Sequence, residues 1–332
     1  MNIHPQKNYS AVSFFAGCGG LDLGFLGGFE YRGENYERSR INIIKAYDFN
    51  ARAVETYRAN IGPDAEVSDL GKAKAMTMPK ADILIGGFPC QEFSLCGPRK
   101  GLQSDRGKLY KSMVRYAKAH HPKIIVAENV ANLLYINGGW DFSVIKKEFS
   151  RAGYRCIEWS VNAADYGVPQ SRNRVFVILV RNDIKSNPQR PSETHMNCWR
   201  TTEWAISDLE KVNDESIPNQ SQYFKAAVAS GGHGQGDEIS KRDSPSYTIR
   251  ANAKSRIQFH YSLPRRLTVR ECARIQTFPD SFRFPYAATE SVMQIGNAVP
   301  PVLANAVMRS VLEFLDSLPQ SIMSSKSTAA QS

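Results

Sequence analysis

The sequence predicts an α/β fold: a doubly wound sheet unit, with a smaller irregular lobe built before the chain returns to the sheet. Three observations predict it. Short β-branched runs alternate with amphipathic segments as far as Val180, Asn, Ser, Pro, Gly and Arg dominate from Arg181 to about Pro264, and helical periodicity resumes at Leu267.

Taken in order, "AVSFF" (11–15), "INIIKAY" (41–47), "ADILI" (81–85), "KIIVA" (123–127) and "RVFVILV" (174–180) read as strands. They are short and apolar on both faces, as in a parallel sheet covered on each side. "ARAVETYRAN", "GKLYKSMVRYAKAHH" and "DFSVIKKEFSRAG" between them read as helices. In "LTVRECARIQ", Thr268 and Glu271 have capping-box spacing, and Pro301 suits a helix's first turn. Residues 1–180, completed by 265–316, are therefore expected to form the sheet domain, 181–264 the second lobe, and 317–332 a small, polar, disordered tail. No internal repeat is visible.

A chain of 332 residues, 42% hydrophobic and 22% charged, can bury a large core. The N-terminus lacks the apolar core of a signal peptide, and no stretch approaches 18 uninterrupted apolar residues, so a soluble, cytoplasmic protein without a membrane is expected. The six cysteines form neither a CxxC pair nor a Cys/His cluster with zinc spacing, which argues against a metal. A formal charge of +10 suits a polyanionic partner.

"SFFAGCGGLDLGF" reads as strand, glycine turn and helix start, where Gly17, Gly19 and Gly20 would let backbone approach a ligand closely. Such turns also serve only to reverse a chain. Asp48, ending the second strand, and Asp69 in "VSDL" stand where acids reach ribose hydroxyls, although helix capping is the plainer use of each. Together they point to an adenosine-containing cofactor.

"GGFPCQEFS" places Cys90 just past a strand, at the rim where such folds bind ligands. A lone cysteine is usually a small buried hydrophobe; Pro89, stiffening the loop, and the polar Gln91 favour a reactive thiol. "AENV" brings Glu128 to the same rim, as a site acid or merely a solvated one. "YGVPQSRNRVFV" is expected to carry Gln170, Arg172 and Arg174 along one strand face, beside the thiol, unless they form a surface salt-bridge strip.

These residues carry a family resemblance. "FAGCGG", "GGFPCQ", "ENV", "QSRNR", "RRLTVRECARIQTFPD" and "QIGNAVP", in that order and almost end to end, resemble the DNA (cytosine-5-)methyltransferases of bacterial restriction-modification systems. The resemblance implies a Rossmann-like domain dependent on S-adenosylmethionine, with S-adenosylhomocysteine as product, and a β-rich target-recognition domain over 181–264. It implies that Cys90 is the nucleophile, Glu128 the acid at the base, Arg172 a contact to the base carbonyl or the thiol's surroundings, and Arg174 a brace for Glu128. Phe15, Gly17 and Gly20 would lie along the cofactor's methionine and sugar, Asp48 on its ribose, and Phe49 and Asp69 at its adenine. Leu70, Pro89, Leu109 and Asn297 would complete that pocket.

On the DNA side, the resemblance implies contacts from Ser94, Gln170, Thr248 and Arg250, with Gln235 in "SGGHGQGDEIS" filling the space of a flipped-out base. A mobile surface loop is the alternative reading of that stretch. Arg242, Arg250, Lys254 and Arg256 are further candidate base readers. Double-stranded DNA is the expected partner, the protein a monomer, and any cognate endonuclease one that shares the site without binding. Residues 26–40, "LGGFEYRGENYERSR", are longer and more polar than the family pattern, as an extra hairpin or a DNA contact would be.

Three other functions compete. A transfer-RNA cytosine-5 methyltransferase would share the pocket, and a catalytically silent DNA-binding subunit would share the fold. A dinucleotide oxidoreductase would carry GxGxxG after the first strand, which this chain lacks.

Overall fold

The computed structural model describes residues 7–89, 104, 107–222, 238–251 and 258–319. In chain order these form β1 (Tyr9–Phe14), α1 (Gly20–Leu26), β2 (Phe29–Tyr31), β3 (Glu34–Tyr36), β4 (Ile41–Asp48), α2 (Ala51–Asn60), β5 (Ala65–Val67), β6 (Ile83–Gly86) and α3 (Tyr110–His120). They continue as β7 (Ile124–Val130), α4 (Trp140–Arg151), β8 (Tyr154–Asn162), β9 (Asn173–Arg181), α5 (Thr202–Ile206), β10 (Glu238–Ile239), β11 (Gln258–Phe259), α6 (Val269–Ile275), α7 (Ala288–Asn297) and α8 (Pro301–Asp316).

Seven strands make the central sheet in the order β5-β4-β1-β6-β7-β9-β8. Both faces are covered, as the two-sided apolar runs predict. Along β9, Phe176, Ile178 and Val180 enter one core with Phe25, Leu303 and Val307, while Val175, Val177 and Leu179 enter another with Met113, Phe142 and Ile145. α8 brings the C-terminus back onto α1, where Asn305 Nδ2 donates to the Gly24 carbonyl at 3.0 Å.

Four expectations need correction. The sheet is not wholly parallel: β9 runs antiparallel to both β7 and β8, a direction that a strand apolar on both faces cannot announce. The arginine strand begins at Asn173, so Gln170 and Arg172 precede it and do not share a strand face with Arg174. Among the described residues the second lobe is not β-rich, with only β10 and β11, two residues each. Leu318, in the expected tail, is 7% exposed and packs into the core; residues 320–332 lie outside the described residues.

Segment 26–40 does form a hairpin, β2 pairing antiparallel with β3. It clasps the chain beyond β9. Arg32 Nη1 pairs with Asp208 at 3.0 Å and its Nη2 donates to the Trp204 carbonyl at 3.0 Å, while Glu34 pairs with Arg200, whose guanidinium covers the Trp204 ring at 4.3 Å. Ala205, Ile206, Leu209 and Ile249 share a third core with α6 and α7, and the Thr268/Glu271 capping box at the start of α6 is present. The stretch Ala288–Asp316 is long and apolar enough to cross a membrane, but it comprises α7 and α8, and 72% of its apolar 18-residue window is buried within the protein.

Candidate active site

The carboxyl ends of the parallel strands converge on one cavity of about 240 Å³. β1 ends in the glycine turn, where Phe15 (φ 55°), Gly17 (φ 56°) and Gly19 (φ 97°) all take left-handed backbone. For Phe15 this conformation is strained, and such strain concentrates at functional sites. A Cβ on Gly17 would meet nothing within 4 Å, so the turn leaves open space above it. Gly20 has another purpose: a Cβ there would stand 2.4 Å from the Val299 carbonyl and 2.9 Å from Ala298, so its absence lets the C-terminal "GNAVP" close against the turn.

Asp48, at the end of β4, accepts from the Gly17 amide on Oδ2 and the Asn50 amide on Oδ1, each at 2.8 Å. Burial pushes its carboxyl above the ordinary value, against the amides of Asn50, Gly17 and Phe49, which favour the charge. Helix capping falls to Asn50, whose side chain accepts from the Arg52 and Ala53 amides. Phe49 is 69% exposed at the cavity mouth. Asp69 accepts from the Gly71 amide at 2.9 Å, with Leu109 lying over the same turn; Leu70 is buried beneath.

Glu128 lines this cavity from β7, together with Pro89 and Asn297. Its Oε1 pairs with Arg174 Nε at 2.8 Å, both side chains about one-tenth exposed. The reversed direction of β9 makes this possible, because its N-terminal end then meets the C-terminal end of β7, with Arg174 opposite Val130. Gly87 keeps the carboxylate's place clear: a Cβ on it would stand 3.0 Å from Glu128 Oε2.

Asn129 and Gln294 are site residues that the sequence reading missed. Asn129, buried in "ENV", donates to the Phe88 carbonyl at 3.0 Å and so ties the loop after β6 to β7. Gln294, at the cavity wall, buries an Oε1 with no hydrogen-bond partner; helical spacing from Asn297 could have raised it.

The other expected residues are placed differently. Arg172 is buried, its guanidinium directed to the carbonyls of Ile249, Gly296 and Ala298. Gln170 is buried beside it. Thr248 Oγ1 donates to the Ser171 carbonyl at 2.7 Å; Arg250 faces Glu238 at 3.6 Å, and Arg242 pairs with Glu203 at 3.0 Å. Cys90, Ser94, Gln235, Lys254 and Arg256 lie outside the described residues. Burial pushes the thiols of Cys18 and Cys156 up to about 12 and raises that of Cys272 further, so all three are held as neutral thiols.

A family model for C-5 cytosine-specific DNA methylase matches residues 9–231 and 214–313, nearly the whole chain. The chain belongs to this family. Among its relatives, the Type II methyltransferase M.NgoFVII of Neisseria gonorrhoeae is 34% identical over 94% of this methylase and 88% of its own length. The Type II methyltransferase M.BspRI of Lysinibacillus sphaericus is 33% identical over 94% and 83%. The methylase also shares its fold with the Entamoeba histolytica methyltransferase EhMeth (TM-score 0.69, 17% identity, 93% of this chain and 99% of that one). The Dnmt2 methyltransferase of S. pombe is similar in fold too (TM-score 0.67, 18% identity, 94% and 100%).

Proposed function

We propose that this methylase transfers a methyl group from S-adenosylmethionine to carbon 5 of a cytosine flipped out of a specific duplex DNA sequence, as the modification enzyme of a restriction-modification system. The observation that carries it is one cavity running from the glycine turn and Asp48 to the Glu128–Arg174 pair. It sets a place for an adenosine cofactor beside an acid suited to a base. Restriction-modification is proposed because M.NgoFVII and M.BspRI are Type II methyltransferases.

The cavity suits the cofactor. The open face of Gly17, the Asp48 carboxylate, the exposed Phe49 ring and the unpartnered Gln294 oxygen offer it a backbone approach, a ribose acceptor, an aromatic face and a free acceptor. Phe15, Gly17, Gly20, Asp48, Phe49, Pro89 and Asn297 would hold it, with Asp69, Leu70 and Leu109 at the adenine end. When bound, S-adenosylmethionine supplies the electrophilic methyl group that carbon 5 accepts.

The chain's own residues must make carbon 5 nucleophilic. The Cys90 thiolate adds to carbon 6, forming a sulfur–carbon bond and pushing the ring's electron pair toward nitrogen 3. Glu128, held by Arg174, hydrogen-bonds that nitrogen and stabilises the developing charge. Once carbon 5 carries the methyl group, water takes its proton, and the electron pair left behind restores the ring double bond and expels the thiolate of Cys90. Cys18, Cys156 and Cys272 are held as thiols, and Cys90 of "GGFPCQ" is the proposed nucleophile. The segment 181–264 is proposed to read the DNA, through Thr248 and Arg250 among the described residues and Gln235 outside them; Ser94, which also lies outside them, is a proposed DNA contact from the sheet domain.

The purified protein, incubated with tritiated S-adenosylmethionine, should label unmethylated duplex DNA and not transfer RNA. Label in RNA alone would overturn the DNA reading.

A further inference from the structure

Arg172 is among the largest fully buried side chains of the molecule, and it joins three separated stretches of chain. Its Nη1 donates to the Ile249 carbonyl at 3.1 Å. Its Nη2 donates to the carbonyls of Gly296 and Ala298 at 2.9 and 3.0 Å. Gln170, two residues earlier and fully buried, accepts from the Ile249 amide at 3.0 Å and donates to Gln276 Oε1 at 2.5 Å. Both backbone groups of Ile249 are thus held by side chains that enter just before β9.

The packing is equally close. A Cβ on Gly296 would stand 2.4 Å from the Ala251 nitrogen and from the Arg250 carbonyl carbon, so α7 meets this segment backbone to backbone. Gly296 has no left-handed backbone that would itself call for glycine. The glycine is there for the contact.

The two stretches face different ligands. Ile249 lies between Thr248 and Arg250, the proposed DNA contacts, whereas Gly296 and Ala298 flank Asn297 on the cofactor cavity wall. A guanidinium is a planar fork of fixed donors, and a buried cation is costly once its acceptors leave. Displacing either stretch strips acceptors from the same buried charge, so the two are held in one arrangement.

We propose that Arg172 and Gly296 couple the cofactor cavity to the recognition segment, so that filling the cavity pre-organises residues 248–250 for DNA and DNA in turn tightens cofactor binding. The coupling rests on the methyltransferase reading and is reciprocal, as any binding linkage is. Arg172 is then a positioning residue that acts through Ile249 and the 296–298 wall. It is not a contact to the base.

The test is the dissociation constant of S-adenosylhomocysteine, measured calorimetrically with and without a saturating duplex carrying the site that the wild type methylates. Wild type, Arg172→Lys and Gly296→Ala are compared, and the ratio is taken within each protein so that general losses of affinity cancel. Gly296→Ala adds one methyl group, which keeps the test available should Arg172→Lys fold poorly. The wild-type ratio should be about fivefold or more and fall below about twofold in both variants. A wild-type ratio near one, or a ratio above fivefold in either variant, overturns the coupling alone. A wild type that binds the cofactor product but no duplex overturns the methyltransferase reading, and the coupling with it.

Discussion

Arg174 Nε stands 2.8 Å from Glu128 Oε1, on two strands that meet antiparallel, with both side chains almost out of solvent. Replacing Glu128 with Gln keeps a hydrogen-bonding group but removes the acid, and should lower the turnover of methyl transfer by about 10²–10⁴-fold while the chain still folds. Arg174→Ala strands a nearly buried carboxylate, at a cost of about 3 kcal/mol, readable in chemical denaturation. A Glu128→Gln turnover within tenfold of wild type would remove this acid from the chemistry.

Gly20 is set by a contact with the far end of the chain. Gly20→Ala puts a methyl group 2.4 Å from the Val299 carbonyl and must push "GNAVP" off the glycine turn. The expected loss is about 1–3 kcal/mol of stability, with weaker S-adenosylhomocysteine binding by calorimetry. Gly17→Ala, which meets no atom within 4 Å, should suffer only from its left-handed backbone and lose less.

Asp22 gives the fold a pH dependence. It is fully buried on α1, accepts from the Ser13 hydroxyl at 2.8 Å, lies beside Tyr57, and burial pushes its carboxyl from 3.8 up to about 7. Between those values the folded chain keeps a proton that the unfolded chain has lost, so this group's contribution is full below pH 4 and lost as pH rises to about 7. Asp22→Asn should therefore melt above wild type at pH 8, with the advantage shrinking toward pH 4. A melting difference constant across that range would contradict the shift.

The hairpin of β2 and β3 holds residues 200–208 through the Trp204 ring more than through its charges. The Arg32–Asp208 pair is partly exposed, with side chains 25% and 45% accessible, so Arg32→Ala should cost no more than about 1 kcal/mol. Trp204→Ala removes the surface on which Arg32 and Arg200 both rest and should cost more. Equal losses in denaturant titrations would show that charge dominates.

Much of this was legible in the sequence, for a physical reason. A strand buried on both faces writes itself as a run such as "RVFVILV", and the turn, the acids and the returning "GNAVP" occupy positions where spacing restricts the residue type. The direction of β9 was not legible, because apolar residues on both faces look the same either way up, yet that direction brings Arg174 to Glu128. Arg172 was misplaced because period two was carried back past Asn173, where the strand begins. β5 was missed at three residues, too short for a pattern, and β8 because its exposed Glu158 and half-buried neighbours blur the alternation.

The most direct measurement is bisulfite sequencing of DNA from a methylation-free bacterial host that expresses the wild type, beside the same host expressing Cys90→Ser. The proposed function predicts a short motif whose cytosine resists conversion with the wild type and converts fully with the variant. A motif protected equally by both would contradict Cys90 as the nucleophile. Protection by neither, from protein that still binds S-adenosylhomocysteine, would contradict cytosine methylation of DNA.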